Sequence, residues 1–389
     1  MSFASAETVP PDTRLALAKR NALVLATAQA IVGAVAPVSI AMGGLAGAYL
    51  LLDDKSLATA PVAGYNVGVA LGALPAAMLM RAVGRRLGLM SGAVVTSLGS
   101  LLAAYALFVA SFWTFVAALA VVGFAGAFSQ QYLFAAVIGP QLAIATGGLF
   151  APIMFAGSFV GTAGLGLGGV LILSFLRVPD APPANRTVET VEPARPLGTI
   201  VRQPRYLTAL LCSVGAYALM SFVMTGAPLA MIACGHSEVD AYWGIQWHVM
   251  AMFGPSFFTG SLMARYGRER IMMTGFGLLV ACAVVALAGL SLANFWGALV
   301  LLGVGWNFGF IGATAMVTET YRASERNKAQ GFHDLVLFSS VAFASLMSGG
   351  TLNAFGWEML NWIVFPVSLV CLAALVVARR READAVVRP

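Results

Sequence analysis

The stretch Met80-Arg81-Ala82-Val83-Gly84-Arg85-Arg86 decides the fold of this chain, because a similar stretch follows 183 residues later as Met263-Ala264-Arg265-Tyr266-Gly267-Arg268-Glu269-Arg270. The same offset relates the pair Phe112-Trp113 to Phe295-Trp296. Each of the two stretches is a short basic turn between long apolar segments. A constant offset over such a distance indicates two copies of one structural unit.

The composition of the chain indicates whether these apolar segments lie in water or in lipid. Of the 389 residues, 60% are hydrophobic and 10% are charged, whereas soluble domains carry about 25% charged residues. A soluble protein of this length would expose much of that apolar surface to water. In a bilayer the same surface contacts lipid. Only helices and closed barrels satisfy their backbone groups in lipid. Because the apolar runs are continuous and do not alternate with polar residues, we expect an all-α integral membrane protein.

The apolar runs predict twelve membrane-spanning helices, each near the roughly 20 residues that a bilayer requires. They cover 22–50, 61–80, 88–110, 113–131, 133–150, 152–176, 206–233, 241–263, 271–291, 296–318, 332–353 and 359–378. Segment 177–205 contains six prolines and five arginines and has no apolar period. We therefore expect an N-terminal six-helix bundle over 1–176, a cytoplasmic linker over 177–205 and a C-terminal six-helix bundle over 206–389.

The basic residues predict the orientation of these spans. If both termini lie on one side of the membrane, 21 of the 22 Lys and Arg residues lie on that side as well, and only Lys55 lies on the other. Basic loops remain in the cytoplasm. We therefore expect a multi-pass protein of a bacterial plasma (inner) membrane with both termini in the cytoplasm.

The fourth and fifth predicted spans are the irregular part of the pattern. In the second half, a helix, a charged loop and another helix lie between Phe295-Trp296 and Phe355. The corresponding region of the first half, from Phe112-Trp113 to Phe150, is about 22 residues shorter. Segment 133–150 has 18 residues, about 27 Å as a helix, which is short for a hydrocarbon layer of about 30 Å. We expect two spans compressed around Ser129-Gln130-Gln131-Tyr132. A single long or re-entrant helix is the alternative.

Two six-helix halves, a long linker and a basic loop after the second helix of each half resemble the major facilitator superfamily over nearly the whole chain. The family's loop signature is Gly-x-Leu-x-Asp-Arg-x-Gly-Arg-Arg/Lys. Residues that match it are Leu79, Gly84, Arg85 and Arg86 in the first copy, and Gly260, Leu262, Arg265, Gly267 and Arg268 in the second. The resemblance implies a secondary active transporter that works by alternating access, with one half moving against the other.

The acidic position of the signature is Arg81 in one copy and Ala264 in the other, so the family's usual charge network at the cytoplasmic gate is in doubt. Asp334, expected in the first turn of the eleventh span, is well placed at a helix N-terminus. We predict a reversed pair of Arg81 with Asp334; Arg81 as a plain orientation anchor is the alternative. The residues assigned to this gate are Arg81, Gly84, Arg85, Arg265, Gly267, Arg268 and Asp334.

Ionisable residues inside the spans are scarce, and each is a functional candidate. His248 lies well inside the eighth span and could carry a coupled proton; a neutral histidine bonded between helices is the alternative. No acid lies near the middle of a span. Polar and aromatic residues that could line a substrate cavity are Gln29, Asn66, Tyr217, Ser221, Thr225, Trp306 and Asn307, each of which could instead bond helices together.

These features predict a carrier of a small organic solute, with proton coupling expected, and either a symporter or an antiporter. A drug or metabolite efflux antiporter is one alternative, although the Gly-x3-Gly-Pro-x2-Gly-Gly pattern of the family's antiporters is matched only by Gly139-Pro140. A degenerate, non-transporting relative is the other alternative, because the fourth and fifth spans are shortened. Dispersed histidines argue against an enzyme or a metal site, and the chain has no nucleotide-binding loop. We expect no catalytic residues, no cofactor, no nucleic-acid partner, and a monomer in the lipid bilayer.

Overall fold

The computed structural model describes residues 11–51, 54–127, 135–176 and 195–387. Within these ranges, the side chains of 11–18, 29, 74, 77, 81, 135–137, 140 and 382–387 are not described. The regular elements in the described ranges are all helical. They are α1 Pro11–Gly33, α2 Val35–Leu50, α3 Ala60–Val83, α4 Arg85–Phe108, α5 Phe112–Gly126, α6 Ala135–Thr146, α7 Ala156–Ser174, α8 Leu197–Val201, α9 Pro204–Ala233, α10 Glu238–Phe253, α11 Ser256–Tyr266, α12 Arg268–Leu287, α13 Leu292–Thr318, the 3-10 helix Ala323–Glu325, α14 Arg326–Trp362 and α15 Val364–Val387.

The prediction of an all-α membrane protein is confirmed. In the part of the chain that the structure describes, eight helical stretches are long and apolar enough to cross a bilayer, and α1 and α2 contribute jointly to one of them, Lys19–Leu50. The apolar helix α5 is shorter. The count of twelve spans stays a prediction.

The two basic turns that revealed the repeat have the same backbone conformation. Gly84 joins α3 to α4 with φ 85° and ψ 159°, and Gly267 joins α11 to α12 with φ 87° and ψ 146°. Positive φ is unfavourable for residues with a Cβ atom and costs glycine little. Both copies of the repeat therefore contain the same glycine turn, which reverses the chain between consecutive helices.

Two helix breaks lie near prolines. Helices α10 and α11 are separated at Gly254 and Pro255, and α2 begins two residues before Pro37. Pro75 and Pro228, by contrast, lie inside α3 and α9, which continue through them. The eighth predicted span is thus two helices separated at Pro255, since proline removes one backbone hydrogen bond and clashes with the preceding turn.

Helices α5 and α6 occupy the irregular region of the first half. Helix α5 has 15 residues and packs on α3 and α4, whereas α6 has 12 residues and packs on α2 and α10. The predicted junction Ser129-Gln130-Gln131-Tyr132 lies outside the described residues.

Helix contacts that join the first part of the chain to the second include α3 with α14, α6 with α10, α2 with α9 and α2 with α10. The space enclosed between these pairs holds the cavities described below.

Candidate functional site

A large cavity with a volume of about 750 Å³ lies between α9, α13 and α14. Its lining runs from Tyr217 and Trp306, in the middle of their helices, to Thr318 and Gln330 near the ends of α13 and α14. Those helix ends adjoin the basic loops, so we call this side of the bundle the basic end. The cavity therefore extends from the bundle centre to the basic end, and its volume is typical of sites for small organic ligands.

Five aromatic side chains line the inner part of this cavity: Tyr217, Phe253, Trp306, Phe310 and Phe338, here called the aromatic cluster. The rings of Trp306 and Phe310 are stacked, with centroids 5.0 Å apart and an interplanar angle of 17°. Tyr217 contacts both edge-on, at 5.5 and 5.0 Å. Stacked and edge-on pairs of this kind are favourable beyond the area they bury. They create a rigid apolar wall suited to a flat ring.

A smaller pocket of about 70 Å³ lies at the centre, beside the aromatic cluster, and Asn66 and Ser221 line it. The amide of Asn66 donates to Ser345 Oγ at 2.9 Å, and the hydroxyls of Ser221 and Ser345 lie 2.7 Å apart. Ser345 Oγ also contacts the Val341 carbonyl at 2.9 Å. We call Asn66, Ser221 and Ser345 the central polar layer; it links α3, α9 and α14.

The opposite end of the bundle holds a cavity of about 440 Å³, whose lining includes Lys55, Glu238 and Asn353. Between this cavity and the centre, α3 meets α14 closely. Thr59 Oγ1 accepts from the Gly349 amide at 3.0 Å and lies 3.2 Å from the Leu346 carbonyl. These contacts hold α3 against α14 between the two cavities.

A second polar contact between the two parts of the chain joins α6 to α10. The Gln141 amide donates to Gln246 Oε1 at 2.7 Å. Gln246 is buried, so this bond is shielded from competition by water. Together with the contact of α3 with α14, it fixes the relative position of the helices around the centre.

His333 and Asp334 lie in the wall of the large cavity, toward the basic end. The His333 ring is 5% exposed and lies between Ser213 Oγ, 2.8 Å from Nε2, and Asp334 Oδ1, 3.0 Å from Nδ1. The Asp334 side chain is 48% exposed. The pair therefore combines a buried imidazole with a carboxylate that reaches the cavity.

Charged residues at the basic end form a cluster around Glu319, directly after α13. Its carboxylate is paired with Arg268, from the second glycine turn, and lies 2.9 Å from Arg205 at the start of α9. The hydrogen bond from Arg268 lowers the pKa of Glu319 below its ordinary value. The acid that the loop signature lacks at Ala264 is thus supplied to Arg268 from another helix.

Other members of the predicted gate have separate environments. Arg265 lies with its guanidinium 5.2 Å from the centre of the Tyr266 ring, and Arg85 is exposed. The Arg81 side chain lies outside the described residues, so its predicted pairing with Asp334 stays a prediction.

An ion pair fastens Arg195, before α8, to Glu325 in the 3-10 helix before α14. Glu325 is fully buried and accepts from the Arg195 side chain at 2.7 and 2.8 Å, and also from the backbone amides of Arg195 and Arg322. Arg195 also donates to the Thr320 carbonyl at 3.1 Å. Because every carboxylate oxygen is bonded, the charge of Glu325 is well satisfied.

Four of the seven predicted cavity residues line a cavity: Asn66, Tyr217, Ser221 and Trp306. Thr225 is buried at the contact of α9 with α2, its carbonyl facing Gly44. Asn307 is buried and bonded to Thr259, Ser256 and the Met252 carbonyl, so it ties α13 to α10 and α11. The Gln29 side chain lies outside the described residues.

His248, the predicted proton carrier, is fully buried between α10 and α13. Its Nδ1 lies 2.8 Å from the Leu299 carbonyl, and its Nε2 has no hydrogen-bond partner among the described residues. It is absent from the lining of the three cavities described above. The geometry matches the alternative stated from sequence, a histidine bonded between helices.

Sequence reasoning did not select Phe253, Phe310, Phe338 or the pair His333-Asp334 for the cavity. One signal was available, because Trp306 and Phe310 are four residues apart and lie on one face of a helix. Among the described residues, no group of three or more His, Cys, Asp or Glu residues could hold a metal ion.

Comparisons with known proteins agree on one kind of molecule. The model of the Major Facilitator Superfamily matches residues 249–389. The riboflavin transporter RfnT of Brucella anthropi is 44% identical over 383 residues, covering 92% of this chain and 96% of that protein. The uncharacterized transporter YddS of Bacillus subtilis is 29% identical, covering 95% and 93%.

A solved structure has a similar fold at low sequence identity. A crystal structure of a mutant of the nucleoside transporter NupG superposes with a TM-score of 0.65 and 14% identity, covering 91% of this chain and 98% of that one. The similarity concerns the arrangement of helices alone.

Proposed function

This chain belongs to the major facilitator superfamily and is a multi-pass membrane transporter of a small molecule, and we propose that its substrate is riboflavin or a closely related flat heteroaromatic compound. The family and the relatives are transporters, not enzymes. The observation that carries the proposal is the aromatic cluster at the inner end of the large cavity. A relative with 44% identity over nearly the whole chain is a riboflavin transporter, which supports the same substrate class.

The chemistry of the cavity supports this substrate. Riboflavin combines a flat, uncharged ring system with a flexible chain of hydroxyl groups. The ring can pack against the aromatic wall formed by Trp306 and Phe310, on the surface that their mutual stacking leaves uncovered. Thr314 and Gln330 line the same cavity nearer the basic end and offer hydrogen-bond partners for the hydroxyl chain. A volume of about 750 Å³ leaves room for both parts of the molecule.

We further propose that the bundle over 1–176 moves against the bundle over 206–389, with 177–205 as a cytoplasmic linker, so that the site opens to each side in turn. The basic end faces the cytoplasm of a bacterial inner membrane, with both termini on that side, as the distribution of Lys and Arg favours. The large cavity then opens inward, while the contact of Thr59 with Gly349 closes the outward path. A monomer coupled to protons is sufficient for this cycle.

Binding of riboflavin to the purified protein tests the substrate. Stacking on an aromatic side chain quenches riboflavin fluorescence, so a titration gives Kd directly. Trp306→Leu removes the stacked face and should weaken binding by about 0.5–1.5 kcal/mol per lost aromatic pair, roughly two- to tenfold in Kd. The matched control is Trp357→Leu, since Trp357 is similarly buried but packs on Phe295, and it should leave Kd unchanged.

Counterflow in proteoliposomes then separates a carrier from its alternatives. Saturable exchange of riboflavin supports transport of this substrate. Exchange of other aromatic solutes without riboflavin would favour a drug or metabolite efflux antiporter, and binding without exchange would favour a non-transporting relative. Wild-type protein that neither binds nor exchanges riboflavin would contradict the proposal.

A further inference from the structure

We propose that His333 and Asp334 form the proton-binding site through which this transporter couples its solute to a proton gradient. The inference rests on the proposed transport function and names the side chains that serve it. It replaces His248, which the sequence favoured, with a pair that lines the cavity.

The hydrogen bonds around His333 accommodate the imidazole with and without an extra proton. In both states Nδ1–H donates to Asp334 Oδ1, 3.0 Å away. In the neutral ring, Nε2 accepts from the Ser213 hydroxyl at 2.8 Å. When Nε2 is protonated it donates to the same oxygen, and the Ser213 hydroxyl turns to the Leu210 carbonyl, 2.9 Å away. Rotation of one hydroxyl therefore keeps every polar atom of the ring bonded in either state.

The position of the pair suits a proton that enters from the cavity. His333 is nearly buried, whereas Asp334 is about half exposed in the cavity wall. A proton from the basic end therefore meets the pair at the negatively charged carboxylate, and the extra proton is held on Nε2 of the ring, beside Ser213. Histidine is the side chain whose ordinary titration spans physiological pH.

The other titratable groups around the pair come from several elements packed on α14. Tyr206 on α9 donates to the Ala329 carbonyl, Tyr321 lies in the loop after α13, and Arg326 begins α14. Arg81 lies in α3, which packs on α14, and its side chain is not described. In the 3-10 helix, Glu325 is already occupied by Arg195. Among the described groups, Asp334 is the acid in contact with His333.

Protonation changes the cost of closing the cavity. With a neutral ring the pair carries one negative charge, and closure at the basic end would bury a carboxylate that has only a neutral partner. With a protonated ring the pair is electrically neutral, and closure buries an ion pair bonded at both ends. Burying an unpaired charge is far more costly than burying a paired one. Closure at the basic end is therefore favoured when the proton is bound, which links proton binding to the transport cycle.

His248 provides the matched comparison for this proposal. It is the same residue type, also nearly or fully buried in the second half, but no acid is hydrogen bonded to it among the described residues. The variants are His333→Gln and His248→Gln in reconstituted protein, with Asp334→Asn as a second route to the same pair. Each is measured for riboflavin counterflow and for riboflavin accumulation driven by a pH gradient.

The expected result is a separation of the two activities. His333→Gln and Asp334→Asn change the wall of the substrate cavity, so the rate of counterflow can change, but exchange should continue while accumulation driven by the gradient is lost. His248→Gln should retain both. Accumulation that persists in His333→Gln, or wild-type counterflow with no response to a pH gradient, would overturn the proton site while leaving the substrate proposal intact.

A measurement of proton uptake without substrate tests the proton site independently of the substrate proposal. Purified wild-type protein should take up one more proton than His333→Gln on acidification. Equal uptake would overturn the proposal, even if riboflavin proves not to be the substrate. If His333→Gln does not fold, Asp334→Asn tests the proton site in the transport measurements. Gradient-driven accumulation equal to that of the wild type in Asp334→Asn would overturn the proposal.

Discussion

Thr59 and Gly349 hold α3 against α14 at the end of the bundle opposite the basic loops: the Gly349 amide donates to Thr59 Oγ1 at 3.0 Å. A Cβ atom on Gly349 would lie 2.5 Å from this oxygen and 3.0 Å from the Thr59 methyl carbon. Only a residue without a side chain permits the approach, so the closed state of this end depends on one glycine.

Gly349→Ala is therefore expected to open the end opposite the basic loops. Overpacking of this kind costs about 1–3 kcal/mol, and moving α3 away from α14 relieves it. Spin labels at Lys55→Cys and Asn353→Cys, on the two sides of the cavity at that end, should move apart in electron–electron distance measurements. Gly350→Ala is the control, since its added carbon would have only one ordinary contact, at 3.9 Å. Unchanged distances in Gly349→Ala would show that the contact does not control closure.

The central polar layer offers a second, weaker test of the same closure. Ser345→Ala removes the acceptor of the Asn66 amide across the two halves. Hydrogen bonds between membrane helices contribute about 0.6 kcal/mol on average, so the open population should rise roughly threefold. A cysteine introduced by Met224→Cys in the central pocket should therefore react faster in Ser345→Ala than in the parent protein. The reagent is an impermeant thiol reagent added from the end opposite the basic loops.

Ser340→Ala is the matched control for that experiment, because the Ser340 hydroxyl bonds to the Val336 carbonyl within α14 itself. It should leave the labelling rate at the wild-type value. Equal acceleration by both substitutions would mean that the effect comes from α14 in general and not from its bond to Asn66.

The cluster around Glu319 predicts a pH dependence of stability. Folding lowers the pKa of Glu319, chiefly through the hydrogen bond from Arg268, so the carboxylate stabilises the folded chain above the unfolded-state pKa. The contribution is lost as the pH falls through the folded-state pKa. The Tm difference between wild type and Glu319→Gln should be constant from about pH 7 to 5 and shrink below about pH 4.

Salt provides the check on this interpretation. Because the Glu319 side chain is 41% exposed, the Tm difference should also decrease at high ionic strength. Glu358→Gln, at an exposed position far along α14, is the matched carboxylate-to-amide control for the salt series. A difference that persists to low pH would show that Glu319 stabilises the chain through packing and not through its charge.

The sequence predicted the fold well because its signals are local and repeated. Gly84 and Gly267 could be matched by offset alone, and the structure builds the same turn at both. The apolar runs predicted an all-α membrane protein from composition, since lipid leaves the backbone few alternatives.

The site was predicted less completely, because it depends on which side of each helix faces the centre. Trp306 lines the cavity while its neighbour Asn307 is turned toward α10 and α11, as successive residues of a helix point about 100° apart. His248 looked suitable by its depth along the chain, but α13 covers it. The His333 ring is hydrogen bonded to Ser213, which lies 120 residues away in sequence. No pattern within one helix could indicate that contact.

The central polar layer lies between two cavities that approach it from opposite ends of the bundle. Water in those cavities would carry the electrical potential of each side deep into the bundle, so most of the transmembrane voltage would fall across this thin layer. A proton that reaches His333 from the basic end would cross little of that voltage. The electrically sensitive step of the cycle is then the movement of the helices around Asn66 and Ser345, not the binding of the proton.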